Sequence, residues 1–243
     1  MTTSTSSAFR ADWEGPPLTA SVHQTLTSDE IRSLPIRYRS HVSPDELAEI
    51  RALHAEWFPV DYAEDFYESI IQSTDILSII ADVNEKIVGL ATVAIRRSET
   101  RYNFSGDLLP FLGLGGSDKT VAYILTLGVV DELRGRGIAS ELLRQVVKEV
   151  PLKDPMCGVI FLHVIEYNKT AMRMYRRNGF KTFKTEPEFY KLGDEWFSGI
   201  LFYLALVEPV GAVQRMINWI NRKLSNFFKT LYVTHNIDQF ETV

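Results

Sequence analysis

The sequence predicts an α/β protein with a mixed central sheet carrying helices on both faces, plus a C-terminal amphipathic helix. Three observations predict it. From residue 121 onward, strand-like apolar runs alternate with helical stretches, the ordering that places helices on the faces of a sheet. One of those strands, ending at Val129-Val130, passes through a glycine-containing bend straight into an amphipathic helix. Finally, 243 residues, 45% of them hydrophobic, suffice for one full core with segments to spare.

Residues 1–34 carry Ser, Thr, Pro and Gly without sustained periodicity and read as a flexible leader. Residues 35–207 form the folded domain on this reading, and 208–243 a tail. Ile36 to Arg39 is a short strand. Ser43-Pro44-Asp45-Glu46 then supplies an N-cap, a proline at the first helical position and a capping-box glutamate for a helix reaching about Trp57. Pro59 interrupts it, and a second helix covers Ala63 to Gln72. Leu77 to Ala81 and Ile87 to Arg96 read as a strand pair turning at Asn84-Glu85, and Phe104 to Thr120 as a glycine-containing loop. Beyond it come a strand from Val121 to Val130, a helix from Arg136 to Val150, a strand from Gly158 to Val164, a helix from Thr170 to Asn178 and a closing strand from Ile200 to Val207.

Composition excludes several classes of function. A net charge of −5 gives no global attraction to phosphate backbones, so no nucleic-acid partner is expected. The single cysteine, Cys157, excludes an internal disulfide framework and a multi-cysteine metal site, and no metal is expected. Pairing Cys157 with His163 as a hydrolase fails on reach, because six residues of strand hold them ~20 Å apart. Gly113-Leu114-Gly115-Gly116 is followed by a strand rather than a helix, which excludes a dinucleotide loop. The single cysteine suits a reducing compartment, so the protein is expected to face the cytosol. Residues 1–11 lack a signal-peptide layout and no apolar run approaches the ~18–20 residues that span a bilayer, so neither secretion nor a transmembrane span is expected.

The chemistry sits where the strand ending at Val129-Val130 meets Arg134-Gly135-Arg136-Gly137-Ile138-Ala139 and a helix with Ile138, Leu142, Leu143 and Val146 on one face. First-turn amides of such a helix have no partners within it, and glycine lets the backbone approach a ligand closely, so the bend suits a pyrophosphate. An ordinary glycine turn capping a helix is the alternative. Downstream, a strand leads into Asn168-Lys169-Thr170-Ala171, Tyr175 and Gly179-Phe180. Asn168 could simply cap the following helix and Tyr175 could be packed core.

Together these two segments resemble the acetyl-CoA motifs of the GNAT superfamily. The resemblance implies the GNAT fold, acetyl-CoA as cosubstrate, Arg134 to Ala139 (Arg134, Gly135, Arg136, Gly137, Ile138, Ala139) around the pyrophosphate, and Leu127 and Val129 as further cofactor contacts. It also implies Asn168 on the pantetheine arm and Tyr175 near the departing sulfur. Three further segments, Trp57 to Tyr62, Val121 to Val130 and Ile160 to Val164, are similar to the NatF-type N-terminal acetyltransferases. In that group the residues matching Tyr123 and His163 act on the substrate amine, directly or through ordered water, and a water bridging the two is expected here. A free α-amine of pKa near ~8 is about a tenth neutral at pH 7, whereas a lysine near ~10.4 is neutral a few times in ten thousand, which favours an N-terminal acceptor. Phe58, Pro59, Val60 and Tyr62 could wall a methionine side chain, with Phe189 and Tyr190, in a loop before the last strand, opposite. Phe58 and Tyr62 could equally be helix-packing residues. The resemblance implies substrates that start with Met, and extends to lysines, including histone lysines. The acidic pair Glu186 and Glu188 could favour a basic second residue.

In the tail, Val213, Met216, Ile217, Ile220, Leu224, Phe227, Phe228 and Leu231 recur at helical spacing, with Arg215, Arg222, Lys223 and Lys229 opposite. This suits a helix at residues 213–231 lying on an anionic membrane surface, or one packed on the catalytic domain. The resemblance implies the membrane, at the cytosolic face of the Golgi. Two rivals remain: a lysine or small-amine acetyltransferase, since the cofactor motif does not specify the acceptor, and a membrane-docked adaptor with the fold but no turnover.

Overall fold

A computed structural model describes residues 35–59, 62–97, 108–112 and 119–206. The expected leader, the residue Val60 and the C-terminal amphipathic helix lie outside the described residues. β1 (Arg37–Arg39) leads to a 3₁₀ turn at Pro44–Glu46, α1 (Leu47–Trp57) and α2 (Glu64–Gln72). A hairpin of β2 (Ile76–Val83) and β3 (Lys86–Arg97) follows, then α3 (Leu108–Leu112), β4 (Thr120–Val129) and α4 (Ile138–Lys153). The chain closes with β5 (Cys157–Ile165), α5 (Lys169–Arg177), β6 (Lys181–Leu192) and β7 (Glu195–Ala205).

The seven strands form one sheet in the order β1-β2-β3-β4-β5-β7-β6, antiparallel throughout except for the parallel β4–β5 pair. Expected local signals are realised. The Glu46 carboxylate reaches back to the Ser43 amide at 2.7 Å, one half of the capping box, and Pro44 opens the 3₁₀ turn that feeds α1. The β2–β3 hairpin turns at Asn84 and Glu85, both left-handed (φ 48° and 64°) as a tight two-residue turn of matching twist requires.

Every residue of β2 is buried, so the strand is covered on both sides. Leu77, Ile79 and Ala81 share a core with Ile138, Leu142 and Val146 of α4 and with Met172 and Tyr175 of α5. Ile80 and Leu90 pack instead with Ile50 of α1 and Tyr67 and Ile70 of α2. Helices on both faces, as predicted, follow from this two-sided burial. The N-terminal edge is tied by Asp82, almost fully buried, whose carboxylate takes Arg37 at 3.0 Å and Arg39 at 2.9 Å.

Three expectations need correction. The stretch read as a loop contains the short helix α3, held because Leu108, Leu109 and Leu112 are buried against Val159, Phe161 and Leu201. The helix expected from Arg136 begins at Ile138, because Gly137 at φ 85° cannot be its first residue, and it runs on to Lys153 through Pro151. Most consequentially, Phe189 and Tyr190 do not sit in a loop. They belong to β6, which pairs with β7 with irregularities between Thr182 and Lys184 and, the larger one, between Glu186 and Tyr190.

Candidate active site

The parallel pairing of β4 with β5 covers only Thr120 to Tyr123 against Cys157 to Phe161. β4 also carries a bulge against β3, where Thr92 faces Thr126 and Val93 faces Ile124, leaving Leu125 as the extra residue. A bulge bends its strand and raises the local twist, and past it β4 and β5 part. The sheet therefore opens at the C-terminal ends of its two central parallel strands, the place where α/β sheets take ligands. Val129 is buried in the core and Leu127 packs against it, so what these two can offer a ligand in the cleft is main chain.

At the cleft's mouth Gly135 and Gly137 take φ 77° and 85°, and a Cβ at either would meet nothing within 4 Å. Both glycines serve the left-handed turn rather than a packing constraint. Gly137 caps α4 with no side chain on its first-turn amides, so Ile138 and Ala139 start a helix whose N–H groups face the open side of the bend. Arg134 is committed elsewhere: its Nε donates to the Val129 carbonyl at 3.1 Å and its guanidinium pairs with Asp131 at 2.6 Å, bracing the bend to β4. Arg136 makes no ion pair among the described residues and is the cation left for an anionic ligand. A strand opening, a nest of left-handed backbone and an uncapped helix end together fit a pyrophosphate-bearing cosubstrate on an extended arm.

Across the cleft, Asn168 caps α5, its Oδ1 accepting the Ala171 amide at 3.0 Å, as one of its two sequence readings had it. Being exposed, it keeps its Nδ2 for other partners. Tyr175 is fully enclosed, edge-on to Phe180 at 5.7 Å and tilted against Phe202 at 6.0 Å, and burial drives its phenol well above the usual range.

Tyr123 and His163 meet on the opposite face of the sheet. Their Oη and Nδ1 atoms lie 3.1 Å apart, a direct hydrogen bond, so the water expected between them has no room. The imidazole side chain is wholly buried and Tyr123 half-buried, so Tyr123 is the less buried member of the pair. Burial pushes His163 down to about 4 against the upward pull of Glu186 beside it, so the ring is neutral at pH 7 and can accept a proton. Phe189 stacks on it at 3.9 Å and 15° between planes, closing it from above rather than standing as a free wall.

Phe58 and Tyr62 join an aromatic cluster with His54, Phe66 and Tyr67, so both do pack between helices. Pro59 is exposed at the end of α1. Burial drives the phenol of Tyr190 strongly upward, with smaller electrostatic contributions from Tyr123, Tyr175, Tyr62 and Tyr167. The sequence reading missed the role of β6 in this site. Glu186 Oε2 lies 3.0 Å from His163 Nε2, and Gly199 of β7 makes the approach possible. An isolated glycine in the apolar run Phe197 to Ala205 was the signal that a bulky side chain crosses there. Cys157 is buried and its thiol pushed up to about 11, which keeps it protonated and out of the chemistry. Among the described residues no group of side chains could hold a metal ion.

A family model described as the acetyltransferase (GNAT) family matches residues 47–180, which contain the strand opening, the glycine bend and both Tyr123 and His163. This chain belongs to the GNAT acetyltransferases. The activity that goes with the family is transfer of acetyl from acetyl-CoA. Among curated proteins it is similar to the histone acetyltransferase MCC1 of Arabidopsis thaliana, 32% identical over 69% of this chain and 68% of that one. It is also similar to N-alpha-acetyltransferase 60 of Xenopus tropicalis, 32% identical over 65% of this chain and 63% of the relative. The chain thus spans about two thirds of the length of these relatives. Among solved structures, Arabidopsis thaliana NAA60 in complex with acetyl-CoA matches with a TM-score of 0.63 and 31% identity, covering 71% of this chain and 99% of that one. The same protein with a bisubstrate analogue gives a TM-score of 0.62 and 30% identity, covering 70% of this chain and 98% of that one.

Proposed function

We propose that this GNAT enzyme acetylates the α-amine of protein N-termini, taking Met-starting ends of membrane proteins and working at the cytosolic face of the Golgi. The observation that carries the acceptor is the Tyr123–His163 pair, a phenol at the cleft backed by a buried neutral imidazole. Such a base suits an amine of pKa near ~8, already partly neutral at pH 7, far better than a lysine near ~10.4. Relatives named N-alpha-acetyltransferase 60 support the same acceptor.

Acetyl-CoA supplies an activated thioester. Gly135, Gly137 and the first turn of α4 hold its pyrophosphate, Arg136 adds charge, and Asn168 Nδ2 reaches toward its arm. Tyr123 orients the incoming amine through its phenol oxygen, and the proton the amine sheds passes along the phenol to His163 Nδ1. Phe58, Pro59 and Tyr62 on one side and Tyr190 on the other enclose the first side chain of the peptide.

A peptide with a free Met terminus and one internal lysine, incubated with the full chain and acetyl-CoA, is expected to gain a single acetyl at the α-amine, as read by fragment-ion mass spectrometry. Acetyl on the lysine alone would overturn the assignment. It would favour the second reading, a lysine acceptor, which the similarity to the Arabidopsis histone acetyltransferase supports.

The stripe of residues 213–231 is proposed to dock the enzyme on anionic lipid. Among the described residues no helix is long and apolar enough to cross a membrane. The full chain is expected to float with vesicles containing phosphatidylserine and to stay at the bottom with purely phosphatidylcholine ones. Equal behaviour with both would remove the electrostatic part of the proposal.

A further inference from the structure

The histidine of the proposed site has a second partner. His163 lies on β5 and Glu186 on β6, with β7 between them, so their strands stand roughly 9–10 Å apart and the two residues are offset by two positions of register. Three features close that gap. Gly199 of β7, opposite both Ile165 and Glu186, carries no side chain on this face, and a Cβ there would meet Phe189 at 2.8 Å. The β6 bulge sets five residues, Glu186 to Tyr190, against three of β7, Gly199 to Phe197, and turns through Glu188 at φ 52°. That turn lets Glu186 and Phe189 both reach His163, the carboxylate at Nε2 and the phenyl ring flat on the imidazole. Lys184 holds the other carboxylate oxygen at 2.9 Å.

From this geometry we infer that Glu186 is a positioning residue for acetyl transfer, fixing His163 as the Nε2–H tautomer so that Nδ1 is free to accept from Tyr123. A carboxylate can only accept, so Nε2 must carry the proton it donates. Nδ1 is then the acceptor, and Tyr123 must donate its hydroxyl proton to it. That leaves the lone pairs of the phenol oxygen for the incoming amine. As the amine nitrogen bonds to the acetyl carbon and the C–S bond breaks, one proton leaves the amine nitrogen for the Tyr123 oxygen while the phenol proton passes to His163 Nδ1, and coenzyme A departs as its thiolate, which takes a proton from solvent. The resulting imidazolium keeps its Nε2–H on the Glu186 carboxylate. With the other tautomer the phenol would have to accept from Nδ1, and it could no longer pass a proton inward. The inference rests on the amine-acetylating role proposed for Tyr123 and His163.

Two measurements test it on the full chain. Nitrogen-15 NMR of histidine-labelled protein, with His163→Gln to assign the signal, is expected to show Nε2 protonated and Nδ1 as acceptor. In Glu186→Leu that preference is expected to weaken, with kcat falling about tenfold, a part of the 10²–10⁴ a proton-transfer group supplies, while the KM for peptide and the affinity for acetyl-CoA hold. Glu186→Gln keeps an acceptor oxygen at the same reach, and is expected to restore the tautomer and part of the rate. An Nδ1–H tautomer in the parent, or wild-type kcat in Glu186→Leu, overturns the role of Glu186. If Tyr123→Phe is also fully active, the proposed machinery fails with it; if Tyr123→Phe is inactive, only the role of Glu186 is lost.

Discussion

Tyr123→Phe is expected to lower kcat by about 10²-fold or more, the low end of what removing a general acid–base group costs, while acetyl-CoA binds as before. The substitution deletes one oxygen and keeps the ring, which lies 4.9 Å from Phe161 and fills its place in the sheet. The lost atom is the one bonded to His163 Nδ1 at 3.1 Å, and it belongs to the less buried member of the pair. Without it the buried imidazole has no route to the amine. The proposed acetyl-CoA contacts, the bend at Gly135 and Gly137 and the α4 terminus, lie away from this pair, so calorimetry is expected to be unchanged. His163→Ala is expected to lose a similar factor, although it also removes the surface on which Phe189 stacks. Near-normal turnover in Tyr123→Phe would mean that the phenol is structural and that the amine is deprotonated elsewhere.

The cofactor half of the site was legible in the sequence because its signals are local. A glycine bend after an apolar strand, a helix start behind it and an Asn able to cap a helix are all short-range patterns; all three are present, the helix beginning two residues later than expected and Asn168 taking the capping role that was the alternative reading. The acceptor half depends on contacts between distant strands. Tyr123 and His163 were identifiable only through resemblance, since nothing in a lone apolar strand states which partner its histidine will meet. Glu186 was read as a surface charge acting on substrate because the bulge between Glu186 and Tyr190 interrupts the two-residue alternation by which a strand is recognised. α3 escaped for a related reason: three buried leucines in five residues define a helix only once Val159 and Phe161 stand opposite.

His54 is expected to make the fold sensitive to acid. Nothing polar answers it: both ring nitrogens are buried without a hydrogen-bond partner among the described residues, within an aromatic cluster of Trp57, Phe58, Tyr62, Phe66 and Tyr67. Burial alone lowers its pKa from 6.5 to about 4. The unfolded chain therefore binds this proton more readily than the fold, and stability is complete above the unfolded value of 6.5 and lost as the pH falls from there toward 4. At one pKa unit per ~1.4 kcal/mol the full loss is about 3 kcal/mol, of which about 2 is already felt at pH 5. His163 titrates in the same window and adds to the drop in the parent, so the difference between variants isolates His54. Urea unfolding at pH 7 and pH 5 is expected to show His54→Leu losing about 2 kcal/mol less than the parent between the two, because leucine has no proton to gain. An identical loss in both proteins would mean that His54 finds a polar partner in solution and that the acid sensitivity of the fold arises elsewhere.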